Sequence, residues 1–177
     1  APKPGLSEGE LLSEASAQQA RAAARQVNDL ARRLAAIRAE MNKLEAQKEV
    51  LRPWLDLDLP LETPSTGQVT IQLGTLPANV PMDRAEGGLQ AAGELVQLTE
   101  VYTERDLRYC MLVCHASESE AVLEALKALG WSRANLRDWT GTAAENLDRL
   151  GKETKALREE PAAIEEKLSG MGEWTLP

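Results

Sequence analysis

The sequence predicts an α+β fold: a long antiparallel helical hairpin, a coiled coil, carrying an inserted split βαβ lobe with element order β-α-β-β-α-β. Three observations predict it. Both ends of the chain carry apolar residues at alternating steps of three and four, nothing helix-breaking separates Gly9 from Arg52, and the apolar period falls to two in the middle third. Composition points the same way. Only 3% of the 177 residues are aromatic and none is Phe, so large side chains are too scarce for one rounded core.

The first helix follows from Val27, Leu30, Leu34, Ile37, Met41, Leu44, Lys48 and Leu51, a heptad seam broken only by Lys48. Extended backwards it passes through Ala23, Ala20, Ser16 and Ser13, which permit a close neighbour but bury little. A helix over this stretch is about 65 Å long and needs another helix beside it. Leu147, Leu150, Thr154, Leu157, Pro161, Ile164 and Leu168 supply that partner at the other end. Thr142 and Glu145 form a capping box that starts it near Gly141 to Ala143. Pro161 is expected to kink or restart it, because proline removes a backbone bond and crowds the preceding turn. This second helix, about 42 Å long, leaves the Ala-rich start of the first uncovered. That mismatch implies a fragment of a longer chain, or another copy or subunit that covers it, and a first residue other than Met fits processing or excision from something longer.

Between the helices, Pro53 ends the first and Leu55 to Leu61 descends as an extended segment. Val69, Ile71 and Leu73 alternate within a strand over 68–73. Residues 81–92 form a poor helix, weakened by Gly87 and Gly88. Strands follow over 94–102 and 107–115, then a helix over 117–129 capped by Ser117 and closed by Gly130. Residues 131–137 make a short fourth strand. The resulting partition is 9–52 with 141–170 as stalk and 53–140 as lobe, with 1–8 and 171–177 as flexible ends.

Function classes narrow by what the residues offer. With 28 acidic against 20 basic side chains, a formal charge of −8 argues against nucleic-acid binding, which needs a basic face. No apolar run reaches the length of a membrane span, and no signal peptide is evident. Cys110 and Cys114, four residues apart in a strand, lie about 13 Å from each other, too far to form a disulfide or share a zinc ion with His115. They read as reduced core thiols; in a helix their spacing would come closer to a ligand pair. His115 reads as a strand-end residue. The pairs Glu159-Glu160 and Glu165-Glu166 read as solvated helix faces. Asp56 and Asp58 read as caps or as partners of Arg52. Trp54, Trp131 and Trp139 stand near the joints between stalk and lobe as core anchors, or else as partner anchors. No phosphate-binding loop and no nucleophile with an evident base occurs. Catalytic, cofactor-binding and metal-binding residues are therefore none, cofactors none, and partner-binding residues unassigned.

A family resemblance rests on particular stretches. Leu51-Arg52-Pro53-Trp54-Leu55-Asp56-Leu57-Asp58-Leu59-Pro60-Leu61 closes the first helix, Leu73-Gly74-Thr75-Leu76-Pro77 follows the first strand, and Leu126-Lys127-Ala128-Leu129-Gly130-Trp131-Ser132-Arg133 precedes Trp139-Thr140-Gly141-Thr142. In this order, flanked by heptads, they resemble the cytosolic N-terminal region of V-type ATPase/ATP synthase subunit I, the a-subunit homologue, over about residues 20 to 170. The resemblance implies the distal lobe with part of the coiled coil, a non-catalytic stator fragment. It implies docking to the peripheral-stalk subunits E and G at the cytoplasmic face of a membrane, with membrane attachment only through a C-terminal domain outside this chain. The family's essential membrane arginine has no counterpart here. The competing reading is a coiled-coil homodimeric adaptor using the same heptads between copies; a small-molecule sensor is a third, by fold analogy alone.

Overall fold

The computed structural model describes residues 8–63 and 65–175. The fold mixes helix and sheet. Its elements are α1 (Glu8–Leu51), β1 (Val69–Pro77), α2 (Met82–Ala92), β2 (Val96–Glu104), β3 (Leu107–His115), α3 (Ser119–Ala128), β4 (Ser132–Arg133) and α4 (Ala143–Thr175). Two compact units divide them: residues up to Glu45 with those from Lys152, and Ala46–Gly151.

In the first unit α1 and α4 meet along the seam. Leu34, Ile37 and Ile164 form a buried cluster, with Leu30, Met41, Leu157 and Leu168 half-buried against it. Leu44 and Thr154 are also buried. Upstream of Leu30, Val27, Ala20, Ser16 and Ser13 are exposed and Ala23 is half-buried, so burial along the seam thins before its side chains become small. The α4 helix does not restart at Pro161; it runs from Ala143 through the proline to Thr175. The restart expected there is therefore not seen, and contacts with α1 lie on both flanks of the proline. Arg33 donates to both carboxylate oxygens of Glu160 at 2.7 and 3.0 Å, and Arg38 donates to Glu165 at 2.7 Å.

In the second unit a four-stranded sheet has the order β2-β3-β1-β4, each neighbouring pair antiparallel. Alternation decides its faces. Cys110, Leu112 and Cys114 of β3, Leu98 of β2 and Leu76 of β1 point to one side, where Ala85 and Leu89 of α2 and Val122 and Leu126 of α3 close the core. Strand β1 extends to Pro77, past Leu73, because Gly74 is a tight fit rather than a breaker: a Cβ there would lie 2.6 Å from the Ser132 carbonyl and overlap the Trp131 ring. The fourth strand is only Ser132–Arg133, shorter than its predicted span. It pairs with Gly74 and Thr75, after which Ala134 N–H reaches the Leu73 carbonyl at 2.9 Å and the chain turns away. Past β4, the Val69 and Ile71 amides are taken by the hydroxyls of Thr66 and Ser65 at 3.0 and 3.3 Å.

The start of α3 also differs from expectation. Ser117 does not cap it; residues 116–118 form a 3-10 turn first, entered from His115, whose Nδ1 lies 2.7 Å from the Ser117 hydroxyl. The other end conforms to the Schellman pattern. Trp131 N–H reaches the Leu126 carbonyl, Gly130 N–H reaches that of Lys127, and Gly130 sits at φ +97°, where a side chain would be strained. Pro53 opens a 3-10 turn over 52–54 that ends α1. Leu61 N–H then bonds the Gly141 carbonyl at 2.8 Å, and the Glu62 carboxylate accepts from Gly141 N–H. Thr142 does cap α4, its hydroxyl accepting from Glu145 N–H at 3.1 Å.

Candidate docking surface

The face of the sheet away from α2 and α3 gathers half the chain's aromatic residues. Tyr109 and Leu107 of β3 project there beside Thr75 of β1. Trp54, buried in the turn after α1, meets Tyr109 edge-on, with ring centroids 5.6 Å apart at 90°. Tyr102 also meets Tyr109, its ring tilted by 43° with centroids 6.0 Å apart.

Tyr102 reaches this face because β2 is irregular. Strict alternation from Leu98 through Glu100 would send residue 102 towards the helices. A register shift between Glu100 and Tyr102 brings Tyr102 opposite Tyr109 instead, the re-aiming that a β-bulge produces. Glu100 keeps its inward side and accepts from Arg108 at 2.8 Å and from the Thr103 hydroxyl, while Arg108 also donates to the Ala78 carbonyl at 3.0 Å. The strands are thus pinned on one face while the aromatic group is displayed on the other.

A cavity of about 300 Å³ opens beside this group, and Val50, Trp54, Leu107, Tyr109 and Leu136 line its apolar walls. Val50 is 48% exposed, Leu107 41% and Tyr102 39%. Large apolar side chains around a buried Trp54 and a half-buried Tyr109 have the anatomy of a protein-binding hot spot: an ordered anchor, a cavity and an apolar rim.

Other residues singled out in the sequence lie elsewhere. Cys110 and Cys114 are free and buried in the helix-side core. Burial, followed by the Glu100 charge, pushes the Cys110 thiol up to about 11; burial likewise raises that of Cys114. Among the described residues no three His, Cys, Asp or Glu side chains converge as a metal site would require. Trp131 is half-buried and donates its indole N–H to Gln72 at 2.7 Å. Trp139 is half-buried in the turn before α4. Arg52 pairs with Glu49 in the preceding turn. Of the acidic pairs, Glu159 and Glu166 are exposed as read, but Glu160 and Glu165 reach across to α1, which corrects their reading as merely solvated. The hydrogen bond from Arg33 holds the Glu160 carboxyl below its ordinary value. No described helix is long and apolar enough to cross a membrane. Tyr102, Leu107 and Tyr109 are brought together by strand pairing, and Val50 joins them from the end of α1, so no local stretch of sequence marks the group.

The class defined by this geometry is a mixed helix-and-sheet protein with a long N-terminal helix and a four-stranded antiparallel sheet. No protein-family model matches the chain, and no curated protein sequence does. Among solved structures, its fold is similar to the crystal structure of the cytoplasmic N-terminal domain of subunit I, homolog of subunit a, of V-ATPase. The TM-score is 0.53 at 16% sequence identity, over 99% of this chain. The chain spans 57% of the length of that domain. At such identity the likeness is one of fold, and it falls on the domain that the sequence resembles.

Proposed function

We propose that this chain is a non-catalytic stator fragment of a rotary V-type ATPase, docking the peripheral stalk formed by subunits E and G and resisting torque during ion transport. The observation that carries the reading is the likeness of fold over 99% of the chain to a V-ATPase subunit I domain. In it, residues 9–52 and 141–170 form an antiparallel coiled-coil stalk, and 53–140 form a split βαβ lobe at the cytoplasmic face of the membrane. Membrane attachment runs through a C-terminal domain outside this chain.

The antiparallel direction is supported within the first unit. Val27 and Asn28 share a cavity with Lys167, Gly170 and Met171, whereas Leu34 and Ile37 share a cluster with Ile164. Residue numbers thus fall on one helix as they rise on the other. An antiparallel register through this cluster would set Leu30 near Leu168, Leu34 near Ile164 and Met41 near Leu157. Two helices packed side by side resist bending far better than a single chain, as a torque-bearing element requires.

The Trp54-Tyr109-Tyr102 group is the docking site in this reading. Titration of the protein with a purified E-G heterodimer tests it, with association expected in the micromolar range or tighter. Leu107→Asp places a charge on the rim and is expected to weaken association at least tenfold, while Leu95→Asp, at a position 68% exposed, leaves it unchanged. No association at high micromolar concentration overturns the stator reading. Association insensitive to Leu107→Asp overturns only the assignment of the surface.

A further inference from the structure

The two long helices are built unequally. Between Gly9 and Arg52 α1 has neither Gly nor Pro, whereas within the first unit α4 carries both Pro161 and Gly170. Pro161 has no N–H to give the Leu157 carbonyl, a defect costing about 3 kcal/mol in a helix interior. A Cβ at Gly170 would meet nothing within 4 Å, so packing does not require that glycine.

Contacts beyond the proline are thin. Ile164 is 5% exposed, but Leu168 and Met171 are only half-buried. A groove of about 940 Å³ separates Lys167, Gly170 and Met171 from the alanines at 20, 23 and 24 of α1. One described ion pair, Arg38 to Glu165, ties this stretch to α1, and Arg33 to Glu160 ties the stretch before it.

We propose that Pro161 divides α4 into two cooperative segments and that residues 162–171 open from α1 as a block, latched by Ile164 and the Arg38–Glu165 pair. The proline sets the boundary because one of the helical bonds that couple the two sides, the one to the Leu157 carbonyl, is missing there. The groove makes opening inexpensive, since few close contacts break. The stretch before Pro161 stays docked through Leu157 and Glu160. The device is a releasable strap on a stiff rail, independent of whether the stator reading holds.

Native-state hydrogen exchange on the whole chain tests it. Amides of 162–171 are expected to share one opening equilibrium, with a step in protection at Pro161. Arg38→Ala, an exposed substitution that leaves the fold intact, is expected to speed exchange across 162–171 about two- to fivefold and leave 152–158 unchanged. Pro161→Ala is expected to abolish the step. A smooth decline of protection along α4, or an Arg38→Ala effect that is absent or equal on both sides of Pro161, overturns the proposal.

Discussion

Replacing Gly74 by Ala tests how the sheet is joined to its short fourth strand. The added methyl would lie 2.6 Å from the Ser132 carbonyl oxygen and 2.6 Å from Cε2 of Trp131, closer still to Cζ2 of that ring. Ordinary contact begins near 3.4 Å, so the neighbours must retreat by nearly 1 Å. The indole can move only by giving up its 2.7 Å hydrogen bond to Gln72. The carbonyl can move only by loosening the pairing of Ser132 and Arg133 with Thr75 and Gly74. Overpacking of this kind costs about 1–3 kcal/mol, and a lost hydrogen bond adds about 1. The expected loss is about 3 kcal/mol, a large share of the roughly 5–15 kcal/mol that holds a typical domain. Urea unfolding followed by circular dichroism should show a midpoint lower by about 1.5 M at unchanged slope. In a Trp131→Ala background the ring clash is gone, so the same substitution should cost at least about 1 kcal/mol less. A Gly74→Ala protein as stable as the parent, or an equal cost in both backgrounds, would refute the close-approach argument.

Other outcomes follow from the same geometry. Leu112→Ala, at a fully buried position of β3, should cost about 2–5 kcal/mol in urea unfolding. Cys110, with its thiol near 11, and Cys114 should both be silent to Ellman's reagent at pH 8 and react fully once unfolded in urea. Because Arg33 holds the Glu160 carboxyl below its unfolded value, the stabilisation is present above the unfolded carboxylate pKa and lost as pH falls through the folded one. Glu160→Gln should therefore flatten the acid limb of a stability–pH curve, measured by urea midpoints between pH 6 and pH 3.

What the sequence discloses is what repeats along it. The three-four seam places α1 and α4 because each turn votes the same way, and strict alternation places β1 and β3. Features that depend on two distant residues stay hidden. The bulge that turns Tyr102 outward leaves no mark in Val96–Glu104, and the reach of β4 is set by how Trp131 lies over Gly74 rather than by local propensity. Ser117 has the chemistry of a helix cap, yet the His115 ring takes its hydroxyl, and the helix begins two residues later. The helix runs on through Pro161, and its flanks meet Arg33, Arg38 and the Ile164 cluster, contacts that no local reading of that helix includes. The candidate surface is the extreme case, assembled from residues 50, 54, 102, 107 and 109. The stretches carrying the family resemblance also meet in pairs: Gly74 under Trp131, and Leu61 against Gly141. Each weak motif is one half of a contact, and their joint occurrence therefore says more than any one of them.

The hydroxyls of Ser65 and Thr66 have a consequence for how this protein behaves at high concentration. A sheet whose last strand is two residues long leaves most of the preceding strand's rim open to recruitment by a foreign chain. Here two small alcohols occupy the donors at Ile71 and Val69, so an incoming strand must first displace them. Two side chains that bury nothing thus stand guard over that rim, and their double alanine replacement should increase light scattering at high concentration relative to the parent protein.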